Sequence, residues 1–339
     1  MKSAQILPVT LLTGFLGSGK TTLLNRLLQA RPRSAVLMNE LGDIGLDQHL
    51  VAGPERVPVV LLSGGCICCQ VKGNLAPALK NLWMSRSAGS LPAYDRIIIE
   101  TTGLADPTSV IETLVRERWI AARHRLDAVV AVVDGVFGLS QLDKHVEALR
   151  QVAAADLLVV SKTDLVGESE IRVLREHLAG LNLSAPIRLA QAADFSPAEV
   201  LDLRAQRPQA VADSLAKPMF RPLGSVTAGF LTADRPHDPR IRSYAYRHQG
   251  TVSDVSLQAA LSALEPLLGP GLLRFKGIVN LTGAVRPLVL QGVQGVLYPP
   301  TELDAWPDAD RSSRFVWITE GLEEVVVTHA IEAFASLLA

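Results

Sequence analysis

Cysteine is almost missing from this chain. Of 339 residues only 3 are cysteine, and all of them fall in "LLSGGCICCQ", as Cys66, Cys68 and Cys69. So few thiols exclude a disulfide framework and fit a reducing compartment. A charge excess is missing too. The 33 Lys and Arg stand against 34 Asp and Glu, so nothing draws the chain to nucleic acid or to an anionic membrane. No uncharged apolar run reaches the ~18 residues that a membrane helix needs. The opening "MKSAQILPVTLLTGFLGSGK" has no signal-peptide cleavage pattern and turns glycine-rich early, so the expected location is the cytoplasm. Internal repeats and low-complexity tracts are absent as well. What remains is a globular composition, 48% apolar and 20% charged, in a chain long enough for two domains.

The first two thirds alternate apolar runs with helical patterns. Ile6–Leu12, Ala35–Met38, Val57–Leu62, Asp95–Glu100, Asp127–Asp134 and Asp156–Ser161 read as strands. Helices are expected over Thr21–Ala30, near Asn74–Arg86 and from Pro107. Strands apolar throughout and separated by helices predict an α/β domain, its mainly parallel sheet covered by helices on both faces. Ligands on such sheets bind beyond the carboxyl ends of the strands. The stretch "LRAQRPQAVADSLAKPMFRP" (Leu203–Pro222) then reads as a linker. Past it, "RSYAYRHQG", "LLRFKGIVNL", "PLVLQGVQGVLY" and "SRFVWIT" predict an antiparallel sheet. Helices over Val255–Leu268 and Leu322–Leu338 would cover one face, giving a smaller α+β domain. The expected division is a nucleotide domain over 1–205, a linker over 206–222 and a C-terminal domain over 223–339.

Three strand ends carry chemistry. "GFLGSGKT" (Gly14–Thr21) follows a strand and opens a helix, the context that a phosphate loop requires. Gly14, Gly17, Ser18 and Gly19 would turn backbone N–H groups toward phosphate at a helix N-terminus, with Thr22 on its first turn. Lys20 would reach the β and γ phosphates, and the Thr21 hydroxyl would ligate Mg²⁺. "IIIETTG" ends a buried strand in Glu100, which can hold Mg²⁺ through water, and the Gly103 N–H can sense a γ-phosphate. "VVSKTDL" supplies Ser161, Lys162 and Asp164. An aspartate that accepts from guanine N1–H and its 2-amino group selects GTP over ATP, and the Lys162 stem would lie along the base.

"MNELGDIGLD" (Met38–Asp47) places Glu40, Asp43 and Asp47 on a loop positioned as a switch over Mg²⁺ and γ-phosphate. The cysteine cluster has the wrong spacing for a thioredoxin-like pair, and a disulfide between neighbours such as Cys68 and Cys69 is sterically poor. Three thiolates on one turn instead suit a shared Zn²⁺, Co²⁺ or Cu⁺, one ligand short of tetrahedral, as befits a site that hands its metal on. Glu40, Asp43 and His49 are all candidates for the fourth ligand. The plain alternative is that the cysteines are buried small hydrophobes.

Taken together, "GFLGSGKTTLLNRLL", "NELGDIGLD", "GGCICC", "IIIETTGLADP" and "SKTDL" resemble, in order, the CobW-like P-loop GTPases. The Gly-Cys-x-Cys-Cys signature is the specific part, and "LLRFKGIVNL" is similar to the family's C-terminal sheet. The resemblance implies a GTP-hydrolysing metallochaperone. Its cofactors would be GTP and Mg²⁺, and its cargo Zn²⁺ or Co²⁺, held by Cys66, Cys68 and Cys69. A client metalloprotein or cofactor enzyme would receive the metal, and a homodimer is possible. The chain departs from many relatives in lacking a histidine-rich stretch, since "TADRPHDPR" offers only His237, and in having Asp43 where Glu is common. Leu104 follows Gly103, so no glutamine there orients the attacking water and slow turnover is expected. The rival readings are a GTP-dependent regulatory switch with structural or redox-sensing cysteines, a small-molecule kinase and a passive zinc module.

Overall fold

The computed structural model describes residues 6–39, 59–62, 70–203 and 240–338. The chain clusters into two units, Met1–Arg175 with Ile187–Arg204, and Glu176–Pro186 with Ala205–Ala339. The stretch expected as a linker, 206–222, lies outside the described residues.

The first unit is a parallel sheet. Its strands are β1 (Leu7–Gly14), β2 (Ser34–Asn39), β3 (Val59–Leu62), β4 (Arg96–Glu100), β5 (His124–Asp134), β6 (Leu157–Ser161) and β7 (Ile187–Leu189). They lie in the order β3-β2-β4-β1-β5-β6-β7, every described pairing parallel. All carboxyl ends therefore meet one edge, and register sets their relative heights. Leu12 pairs with Glu100, Glu100 with Met38, and Asn39 with Leu62.

The central strands read as unbroken apolar runs because both of their faces are covered. On one side α1 (Lys20–Ala30) presents Leu23, Leu24, Leu27 and Leu28, a helical stripe packed with Leu12, Val36, Ile98, Val130 and Val159. The alternate positions, including Leu11, Leu37, Ile99 and Val129, are equally buried and point to the other face. There α3 (Thr108–Arg116) buries Val110, Ile111 and Leu114, and α6 (Val146–Ala154) buries Leu149, Val152 and Ala153. Two strands differ from the sequence reading. β5 starts at His124, ahead of Asp127, and β7 is three residues long, too short for any periodicity to betray it.

In the second unit, β8 (Ile241–His248), β9 (Leu272–Val279), β10 (Leu288–Val293), β11 (Val296–Leu297) and β13 (Ser313–Glu320) pair antiparallel in the order β11-β10-β9-β13-β8. A two-residue strand, β12 (Thr301–Glu302), pairs with β10. Phe275, Phe315 and Trp317 point to one face, where the helices Asp254–Leu268 and Glu324–Leu338 bring Leu257, Leu264, Ile331 and Phe334. Phe334 meets Phe315 edge-on at 4.9 Å and Trp317 at 5.3 Å, the arrangement that ring quadrupoles favour. The segment "PLVLQGVQGVLY" is a hairpin, turning at Gln294 and Gly295. Arg314 lies fully buried, yet its guanidinium is met by both carboxylate oxygens of Asp308, at 2.7 and 3.0 Å, and by the Asp310 carbonyl at 3.0 Å.

Candidate nucleotide and metal site

The phosphate loop runs from the end of β1 to the start of α1. Gly14, with φ 142°, touches β5 so closely that an added Cβ would sit 2.3 Å from the Val132 carbonyl oxygen. No other residue fits there. Gly17 and Gly19 also take positive φ, and Gly19 caps α1, whose first N–H groups have no partner within the helix. Ser18 is fully buried, and its hydroxyl finds no hydrogen-bond partner among the described residues. Lys20 folds back over the loop, donating to the carbonyls of Gly14 at 2.9 Å and Phe15 at 3.0 Å. Thr22 stands exposed on the first turn of α1.

Beside this loop the Thr21 hydroxyl donates to Glu100 Oε1 at 2.9 Å, and Glu100 is buried at the end of β4. A hydroxyl and a carboxylate oxygen in contact are hard oxygen donors, a pair that fits Mg²⁺. Beyond Glu100 the chain passes directly under the loop. A Cβ on Gly103 would lie 2.5 Å from the Leu16 backbone nitrogen. That closeness leaves room for no side chain at Gly103 and packs its peptide against the phosphate loop.

The residues expected to read the base leave β6. The Ser161 hydroxyl donates to the Ser18 carbonyl at 2.6 Å, and the Val133 carbonyl lies 3.3 Å from it, so the strand is tied directly to the phosphate loop. Lys162 adopts a left-handed conformation, φ 54°, rare for a side chain of its size, and its ammonium meets Asp134 Oδ2 at 2.6 Å. Asp134 is buried, and its other oxygen accepts from the backbone of Val136 and Phe137. Thr163 donates to Gln191 at 3.0 Å through its hydroxyl, and Asp164 stands exposed on a short 3-10 turn.

The fold thus brings Gly14–Thr21, Glu100, Gly103 and Ser161–Asp164 to one edge of one sheet. Asp134, Gln151 and Gln191 escaped the sequence reading. For Asp134 a signal existed, since "DAVVAVVD" ends in an acid at the same level as Ser161. Gln151 and Gln191 carried none.

Two family models divide the chain. Residues 8–188 match the CobW/HypB/UreG nucleotide-binding domain, and residues 241–335 match the cobalamin synthesis protein cobW C-terminal domain. The chain belongs to the CobW/HypB/UreG family. Its relatives include the zinc chaperone YjiA of Escherichia coli, 33% identical over 331 residues, covering 97% of this chain and 98% of that protein. The zinc chaperone CobW of Pseudomonas aeruginosa is 29% identical over 98% of this chain and 92% of its own. Among solved structures, zinc-bound YjiA GTPase from E. coli superposes with a TM-score of 0.67 at 26% identity, over 97% of this chain and 99% of that one.

The candidate metal ligands Glu40, Asp43, His49, Cys66, Cys68 and Cys69 lie outside the described residues. Among the described residues no group of three or more His, Cys, Asp or Glu could hold a metal ion, and no helix is long and apolar enough to cross a membrane.

Proposed function

We propose that this protein is a GTP-hydrolysing metallochaperone. It would bind zinc through Cys66, Cys68 and Cys69, with Glu40 or Asp43 nearby, and pass the metal to a client metalloprotein. The observation that carries the reading is the shared edge of the parallel sheet. The chain leaves β2 after Asn39 and β3 after Leu62, and those two residues are paired. Glu100 lies one strand away from β2, so the segment that leads to the cysteines departs about 10 Å from the Thr21–Glu100 pair, two strand spacings. Zinc is favoured over cobalt because two full-length relatives are named zinc chaperones and a zinc-bound structure shares the fold.

In this reading GTP releases Lys20 from the carbonyls of Gly14 and Phe15 and draws the ammonium onto the β and γ phosphates. Mg²⁺, held by Thr21 and Glu100, would neutralise developing charge on the phosphate oxygens. The Gly103 N–H takes the γ-phosphate, and Asp164 reads the guanine edge while Asp134 holds Lys162 in place. Leu104 can neither orient nor deprotonate water, so intrinsic turnover should be on the order of 10⁻² s⁻¹ or slower. Lys20→Ala tests the core of the proposal by calorimetry with GTP. Affinity should drop roughly 30-fold to 1,000-fold, the cost of charge-assisted bonds to phosphate, with the fold retained. Unchanged affinity would remove the nucleotide site from the account.

A further inference from the structure

We propose that Gln151 is a positioning residue, through which α6 holds the Glu100–Ala105 loop where it can read the third phosphate. This inference rests on the GTPase reading of the site. Gln151 is 1% exposed, on the inward face of α6. Its Nε2 lies 3.1 Å from the carbonyl oxygen of Gly103 and 3.1 Å from that of Ala105. An amide NH₂ carries two hydrogens, so one side chain supplies both bonds. Both partners are acceptors, which fixes the orientation of the amide.

The start of the loop is tied to β1 and the phosphate loop. Thr101 donates its N–H to the Leu12 carbonyl at 3.0 Å, its hydroxyl lies 3.0 Å from that of Thr13, and Glu100 accepts from Thr21. At the far end the Ala105 N–H donates to the Thr102 carbonyl at 3.1 Å, and Gln151 reaches in from outside the loop. Asp106 caps α3 through the Thr108 N–H and hydroxyl, and lies 3.7 Å from Arg150, the residue before Gln151. Helix α5 (Gly138–Lys144) and the start of α6 also reach the phosphate loop itself. Gln141 Nε2 is 3.5 Å from the Leu16 carbonyl, and the His145 ring stacks on Phe15 at 4.5 Å. The consecutive helices α5 and α6, joined at His145, therefore meet the Gly103 loop through Gln151 and the phosphate loop through Gln141 and His145. Diphosphate touches only the phosphate loop, whereas triphosphate must also engage Gly103. A group that fixes Gly103 without touching nucleotide should bias the choice between them, because a ligand shifts an equilibrium only by its differential affinity.

Gln151→Met keeps the length and volume of the side chain and removes both donors. Dissociation constants for a non-hydrolysable GTP analogue and for GDP would be measured on the full-length variant and on the unaltered protein. The expected result is about a tenfold loss of affinity for the triphosphate with GDP affinity held within about twofold, the size of effect that two hydrogen bonds can produce. Equal losses for both ligands, or no loss, would overturn the proposal, since a merely structural glutamine would not move the ratio. If Gln151→Met does not fold, Gln151→Asn keeps the amide but withdraws it by one methylene. It should lose part of the same preference, and a ratio equal to the unaltered protein's would again overturn the proposal. Failure of the unaltered protein to bind guanine nucleotide would instead defeat the GTPase reading, and this inference with it.

Discussion

Asp134 and Lys162 show at the level of single residues how a buried charge serves a site at the surface. A buried carboxylate persists only when paired and hydrogen-bonded, and Asp134 has one ammonium and two backbone N–H groups. Asp134→Asn keeps the acceptor for Val136 and Phe137 and cancels the ion pair. GTP affinity should fall about threefold to tenfold with little change in melting temperature, a difference that calorimetry and thermal unfolding separate. The motif "SKTDL" pointed to Lys162 and Asp164 as candidates, because base recognition would need those side chains in that order. It could not disclose Asp134, whose partner lies 28 residues away in sequence. His124 belongs to the same scale. It is buried beneath Trp119, and its Nε2 has no hydrogen-bond partner among the described residues. Burial holds its pKa below the usual 6.5, against a raising contribution from the Ile120 carbonyl, and Arg123 pushes it down further. The unfolded chain therefore takes up a proton that the folded one resists. The contribution to stability is complete above pH 6.5 and is lost as pH falls from there through the folded value. Urea midpoints measured between pH 7.5 and 5 should show a shallower acid decline in His124→Gln than in the unaltered protein.

At the scale of elements, what was legible followed from burial. β1, β4, β5 and β6 carry their apolar runs because helices cover both faces, and each run ends in a residue of the candidate site. The hairpin of β10 and β11 was less legible, because "PLVLQGVQGVLY" is apolar across its own turn. Gln294 and Gly295 both take positive φ, 44° and 72°, as the tightest hairpin turn requires. Glutamine is a poor residue for that position, and Asn-Gly is the favoured pair. Gln294→Asn should stabilise the second unit by about 0.5 kcal/mol and Gly295→Val should destabilise it by about 1–2 kcal/mol, read as shifts in melting temperature. The aromatic cluster of that unit was legible as composition but not as geometry. Nothing in "SRFVWIT" announces that Phe315 and Trp317 converge on Phe334.

For the whole molecule the central claim is linkage between two ligands. Nucleotide and metal would share the carboxyl edge of one sheet, and linkage makes their coupling reciprocal, so GTP that tightens zinc must itself be tightened by zinc. A complete exchange of held and released states needs about 5.5 kcal/mol of differential affinity. The phosphate loop and the Thr21–Glu100 pair were implied by strand-end motifs, whereas the register of β2 with β3 was not, because two short apolar runs do not say which strands pair. The path from Gly103 through Gln151 to α6 was not, because a lone glutamine in a helix carries no pattern. The deciding measurement is a titration of the reduced protein with Co²⁺, standing in for zinc, with and without Mg²⁺ and a non-hydrolysable GTP analogue. Thiolate-to-metal charge-transfer absorption would be read in each. The account predicts thiolate bands whose metal affinity rises at least tenfold with the analogue and which vanish when Cys66, Cys68 and Cys69 are replaced by serine. Thiolate bands of equal affinity in both nucleotide states would contradict it, leaving a GTPase that carries a metal without gating it.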